Sequence, residues 1–97
     1  MPKLISVRPS DNPEKKYDAK FQTDAGRTKT TSFGQRGADD YTKTHDEEQR
    51  ARYRSRHQKD LKGGDPTRAG PLAYWLLWGE STSLLKNLAD YRRKYGV

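Results

Sequence analysis

Lys15-Lys16-Tyr17-Asp18-Ala19-Lys20-Phe21-Gln22 is the stretch on which the reading of the fold turns. Tyr17, Ala19 and Phe21 alternate with Lys16, Asp18 and Lys20, the period-two pattern of a strand with one face buried and the other in water. The next residues, Thr23-Asp24-Ala25-Gly26-Arg27, are turn formers. Thr28 to Phe33 is strand-like again, rich in β-branched threonine and followed by Gly34. Together the two runs predict a β-hairpin. Upstream, Leu4 to Arg8 is a candidate third strand, separated from the hairpin by the linker composition Pro9-Ser10-Asp11-Asn12-Pro13. Residues 1–14 therefore read as a flexible or partner-ordered N-terminal segment, and residues 15–97 as one small domain.

Downstream the periodicity changes. Residues 34–45, with Gly34, Gly37 and the adjacent acids Asp39 and Asp40, read as a solvated surface loop. Thr44 followed by Glu47 fits a capping box, and Asp46, Glu47 and Glu48 suit the positive end of a helix dipole. The basic residues fall toward the far end of this helix, which Gly63-Gly64 stops near residue 61. Tyr53, His57 and Leu61 recur at i, i+4 and i+8 and provide a narrow packing stripe.

Asp65-Pro66 resembles an N-cap followed by proline at the first helical position. Residues 71–78, Pro-Leu-Ala-Tyr-Trp-Leu-Leu-Trp, hold both tryptophans and the densest apolar run of the chain. They read as a short, nearly fully buried helix that Gly79 ends, although periodicity over so short a run leaves a strand open. Ser81 is the expected cap of a last helix. Its stripe is Leu84, Leu88, Tyr91 and Tyr95, flanked by Leu85 and Ala89, with Arg92, Arg93 and Lys94 at its end and Gly96 closing it. The fold class expected is α+β: a single small domain in which an N-terminal hairpin of two or three strands precedes two longer helices and a short Trp-rich one.

Ninety-seven residues of which 30% are apolar and 34% charged leave room for only a small core. The net charge of +7 is unevenly placed. Residues 1–49 carry nine Lys/Arg and nine Asp/Glu, whereas residues 50–97 carry eleven and four. That asymmetry points to an anionic partner: nucleic acid, an acidic protein face or a lipid surface. No cysteine is present, which rules out disulfides, thiolate metal sites and cysteine nucleophiles. No signal peptide is visible, and the longest apolar stretch falls far short of the roughly 20 residues that span a bilayer. The expectation is a protein that is not secreted and has no membrane span.

Chemistry-bearing groups are sparse. His45 and His57 fit no metal-ligand spacing, so no metal or other cofactor is expected. Asp39 and Asp40, with Asp46, Glu47 and Glu48, form the one carboxylate cluster, and loop solvation and helix-start electrostatics account for both groups. Gly34 and Gly37 lack the Lys and Ser/Thr of a phosphate-binding loop. No catalytic set emerges, and enzyme activity is not expected.

The basic segment is the clearest functional signal. Arg50, Arg52, Arg54, Arg56, Lys59 and Lys62 stand against a single acid, Asp60, within residues 50–62. On a helix, Arg50 and Arg54 share one face, and Arg52, Arg56 and Lys59 another. With Arg92, Arg93 and Lys94 these are the residues expected to meet an anionic partner. The absence of a helix-turn-helix, finger or basic-zipper pattern argues against sequence-specific DNA reading. Trp75 and Trp78 belong to the core on this reading, one of them half-exposed as an aromatic anchor on a neighbour.

The succession Lys-Lys-Tyr-Asp-Ala-Lys-Phe (15–21), Ser-Phe-Gly (32–34), Asp-Tyr-Thr (40–42), Tyr-Arg-Ser-Arg-His (53–57), Asp-Pro-Thr-Arg-Ala-Gly (65–70) and Leu-Leu-Trp-Gly (76–79) adds a resemblance. It resembles a family of small, basic, uncharacterised proteins encoded by large DNA viruses of algae and protists, over about residues 15–95. The resemblance implies a viral source and, with it, a packaged protein of the minor capsid or cement type, in the virion or in the infected cell's cytoplasm or nucleus. It assigns no residue a role. The leading expectation is a non-enzymatic virion protein docking its basic helix on viral capsid or other acidic proteins. The alternative is non-specific binding of DNA or RNA in a viral genome, and the sequence leaves the oligomeric state open.

Overall fold

The computed structural model describes residues 2–97. Strands β1 (Lys3–Pro9), β2 (Lys15–Gln22) and β3 (Thr28–Gln35) form one antiparallel sheet in the order β1-β2-β3. Helix α1 (Tyr41–Thr44) and helix α2 (Glu47–His57) follow, and α2 tightens into a 3₁₀ turn over Gln58–Leu61. Helix α3 (Ala69–Leu72) widens into a π turn over Ala73–Leu77, and α4 (Leu84–Tyr95) completes the chain. The expected α+β domain is present, with three strands rather than two.

The hairpin forms where the alternation placed it. Tyr17 pairs with Phe33, Ala19 with Thr31 and Phe21 with Lys29. Ala19, Phe21 and Phe33 are fully buried, and Tyr17 stacks on Phe33 with ring centroids 5.8 Å apart. Gly26, at φ 81°, supplies the left-handed residue of the turn. Of the segment read as flexible or partner-ordered, Lys3–Pro9 is the edge strand, with Leu4 buried and its N–H donating to the carbonyl of Val97 at 3.2 Å. The pairing slips between Leu4 and Ser6. This bulge brings Leu4 and Val7, which strict alternation would set on opposite faces, both to the core and leaves Ile5 49% exposed.

The expected loop over 34–45 contains α1. Asp40 is its N-cap, accepting from the backbone N–H of Thr42 at 2.9 Å. Asp40 is also buried and paired with Lys16, so the expectation of a solvated carboxylate is wrong for it and holds for the exposed Asp39. The cap of α2 is Asp46, which accepts from Glu48 and Gln49, not Thr44. Thr44 is consumed as the last residue of α1, and His45 makes the left-handed exit at φ 58°.

Asp65 does not start a helix either. Its Oδ1 closes a turn by accepting from the backbone and hydroxyl of Thr67. Helix α3 begins at Ala69, two residues before the expected start, and places Pro71 in its first turn, where a missing N–H costs nothing. Ser83, not Ser81, caps α4, and Ser81 instead accepts from the N–H of Ser83. Gly96 closes α4 at φ 68° as expected.

The core lies between the sheet and the helices. Leu72, Leu76, Leu77 and Trp78 from the Trp-rich segment meet Leu4, Ala19, Phe21 and Phe33 from the sheet, with Tyr41 and Tyr91 alongside. On α4 the fully buried residues are Asn87 and Tyr91, while Leu84, Leu88 and Tyr95 are half-buried and Leu85 is 78% exposed.

Candidate anion-docking surface

Helix α2 crosses the Trp-rich segment with Tyr53 facing inward. Tyr53 lies flat between His57 and Trp78, with ring centroids 4.1 and 4.4 Å away. Burial pushes its phenol up to about 12, with the charge of Asp60 adding to the effect and Arg56 opposing it. Arg50 and Arg54, four residues apart, share the flank of α2 that faces Gly79, Glu80 and the Tyr74 and Trp75 rings.

Arg50 and Arg54 are therefore structural. The Nε of Arg50 donates to the carbonyl of Gly79 at 2.6 Å, and its guanidinium lies 5.4 Å from the Tyr41 ring. Arg54 lies 5.0 Å from the Tyr74 ring and 4.9 Å from that of Trp75. Both reach Glu80, at 3.5 and 3.4 Å, and their side chains are only 20% and 18% exposed. Of the basic residues on α2 expected to meet a partner, these two are the ones engaged within the fold.

Arg52, Arg56, Lys59 and Lys62 are exposed, and none of them makes an ion pair among the described residues. Arg52, Arg56 and Lys59 recur at i, i+4 and i+7 along α2 and its 3₁₀ extension, forming a cationic ridge. The three basic residues of α4 do not join it as a set. Arg92 reaches the carbonyl of Ile5 at 3.5 Å, Arg93 pairs with Asp90 at 3.4 Å, and the Nζ of Lys94 lies 4.2 Å from the Trp75 ring.

Neither tryptophan is a free anchor. Trp78 is enclosed at 6% exposure under Tyr53. Trp75 is half-buried, covered by Arg54 and Lys94, with its Nε1 donating to the hydroxyl of Tyr95 at 3.2 Å.

Beside the ridge lies a groove of about 610 Å³ between the end of the hairpin, α2 and α3. Leu77, Trp78 and Ala73 contribute to its apolar floor, and Lys15, Lys16, Arg56, Asp39, His57 and Asp60 are among its charged and polar walls. Several of these groups are held by local partners. Lys16 pairs with Asp40, Asp39 with Lys43 at 3.8 Å, and His57 Nδ1 contacts Asp60 Oδ2 at 2.9 Å. Lys15 and Arg56 have no ion partner among the described residues. Sequence reading missed this groove because it joins residues 15–16 to 56–60 and 69–78, separations over which no local period operates. It also missed Glu80, whose position against two arginines depends on the turn after the π segment. No group of three or more His, Asp or Glu side chains able to hold a metal occurs among the described residues.

The fold and this surface define a small α+β domain with a cationic helical ridge beside a mixed apolar and charged groove. The chain belongs to a family of unknown function, DUF5754, which it matches over residues 5–57, from β1 through α2. The match includes the sheet and Arg52 and Arg56 of the ridge and stops before the Trp-rich segment and α4. No curated protein and no solved structure matches the chain. Among the described residues no helix is long and apolar enough to cross a membrane.

Proposed function

We propose that this protein is a non-enzymatic docking component of a virion, of the minor capsid or cement type, that seats its cationic ridge on an acidic face of a larger protein. The viral setting, and with it a place in the virion or the infected cell, rests on the resemblance described above. The observation that carries the docking reading is the division of the basic helix: Arg50 and Arg54 are spent inside the fold, while Arg52, Arg56, Lys59 and Lys62 stay exposed and unanswered. Such charges steer association with an acidic surface and set its salt dependence. The tryptophans favour protein over single-stranded nucleic acid, because Trp78 is enclosed and Trp75 is already covered by cations, leaving neither to stack on bases.

One geometric feature favours a second reading. Seven residues separate Arg52 from Lys59, about 10 Å along a helix axis, enough to meet successive phosphates of a nucleic-acid backbone. The deciding experiment is binding of the purified protein to generic double- and single-stranded DNA and RNA across a salt series, alongside co-purification with virus particles. The docking reading expects fixed stoichiometry in particles and no nucleic-acid affinity at physiological salt. Tight binding with a steep salt slope would replace it with the phosphate reading.

A further inference from the structure

We infer that the groove beside the ridge is the specificity site of the docking surface and takes an extended acidic peptide segment, with carboxylates on Lys15 and Arg56 and an apolar side chain on the floor. This deepens the docking reading and rests on it. Charge accounting around the groove carries the argument. Asp39 and Lys16 each have an ion partner within the fold and Asp60 a hydrogen-bond contact with His57, whereas the side chains of Lys15 and Arg56 have neither among the described residues. The groove thus holds two uncommitted positive charges over an apolar floor. A peptide that alternates carboxylate and aliphatic side chains matches both features, since successive side chains of an extended chain point to opposite sides.

The groove is also suited to hold a fixed shape. Its floor is anchored by the Tyr53–Trp78 stack, its far wall by the His57–Asp60 contact, and its hairpin wall by the Lys16–Asp40 pair. A Cβ at Gly70 would stand 3.0 Å from the Cβ of Asp60, so α3 packs tightly against the 3₁₀ turn there. A site that is already formed spends little binding energy on ordering itself. Arg56 belongs to both ridge and groove, which makes the two continuous.

The test uses a fluorescent peptide of alternating glutamate and leucine, a control peptide with glutamine in place of glutamate, and amide NMR of the labelled full chain. The glutamate peptide is expected to bind and to shift the amides of Gly34, Ala69 and Gly70, and the glutamine control to bind at least about tenfold more weakly. Lys15→Ala should weaken it, and Ala69→Trp, at an exposed position on the groove wall, should block it; Arg52→Glu with Lys59→Glu should change it less than either. The amide spectrum of each variant establishes that it is folded. Shifts confined to Arg52, Lys59 and Lys62, with Ala69→Trp binding normally, would overturn the groove inference and leave ridge docking standing. Loss of binding to both peptides, with retention of nucleic acid at physiological salt, would overturn the inference and the docking reading together. No binding of the glutamate peptide, where particle co-purification still holds, would overturn the groove inference alone.

Discussion

Asn87, in the first turn of α4, holds the carbonyl of Leu76 at the end of the Trp-rich segment through its Nδ2, 3.0 Å away. The same Nδ2 donates to the carbonyl of Ser81 at 2.7 Å, and the Oδ1 accepts from the N–H of Ser81 at 3.0 Å. One side chain, 1% exposed, thus supplies partners that the end of a helix lacks within itself. Asn87→Ala is expected to cost about 3 kcal/mol, because it strands buried polar groups as well as deleting hydrogen bonds. Urea unfolding reads the loss directly. Gly79→Ala should be at least as damaging: its Cβ would stand 2.2 Å from the carbonyl of Trp75 and 2.9 Å from the side chain of Asn87.

The buried Lys16–Asp40 pair ties the start of the hairpin to α1, with side chains 13% and 5% exposed. Removing one member leaves the other charged in a dry site, so Asp40→Ala is expected to cost about 3–5 kcal/mol. Replacing both, as Lys16→Met with Asp40→Leu, should cost clearly less than the sum of the two single changes. A double-mutant cycle by denaturant unfolding checks this.

The arginines of α2 should separate into two classes. Arg54→Ala removes two ring contacts and an ion pair with Glu80 and is expected to lower stability by about 1–2 kcal/mol. Arg52→Ala, with no partner among the described residues, should stay within about 0.5 kcal/mol of the parent. In a docking assay on folded protein the order reverses, with Arg52→Ala weakening the complex and Arg54→Ala leaving it near the parent value. Thermal unfolding and partner binding measured on the same samples test the separation.

At alkaline pH two buried phenols resist ionisation. Burial raises the phenol of Tyr53 to about 12 and that of Tyr91 further still, the latter also donating to the carbonyl of Pro66 at 2.7 Å. A folded-state value above the ordinary one means that the unfolded chain loses these protons first. The stabilisation is therefore intact below about pH 10 and is lost as the pH rises from there toward about 12. Tyrosinate absorbance of Tyr53 and Tyr91, followed in single Tyr→Phe variants, should appear together with loss of helical circular dichroism. Ionisation of Tyr53 and Tyr91 near pH 10 in a still-folded protein would contradict the packing.

At the acid end the sign is opposite. Asp65 is held below the ordinary carboxylate range, first by the Thr67 hydroxyl and then by the Thr67 N–H, with Lys29 and Arg68 nearby. Its contribution is present above the ordinary aspartate value of about 3.9 and fades as the pH falls through the lowered one. Thr67→Val should remove part of that acid dependence and flatten the stability profile below about pH 4.

Local pattern was enough to read the hairpin, the end of the basic helix near the paired glycines and the stop at Gly96. Alternation, turn residues and helix-terminal glycines act over a few positions and were present in the chain as written. The wheel likewise separated Arg50 and Arg54 from Arg52, Arg56 and Lys59. What it lacked was the direction of the core, although the packing stripe Tyr53, His57 and Leu61, which lies nearer Arg50 and Arg54 than Arg52 and Arg56, was an available clue. The bulge at Ile5 and the inward turn of Asp40 depended on where strand and helix met, as did the burial of Asn87, rather than Leu84 or Leu88, in the first turn of α4. A cap such as Asp46 or Ser83 was miscounted by two residues because several hydroxyl and carboxylate side chains compete for each helix start. By itself, then, the sequence determined the elements, the small apolar inventory and the excess of positive charge in the second half. Which of those charges face water and which are spent on Glu80 and Trp75, and that a groove opens beside Arg56, only the tertiary structure decided. Side chains equivalent along a helix become unequal only when another part of the chain packs against one of its faces.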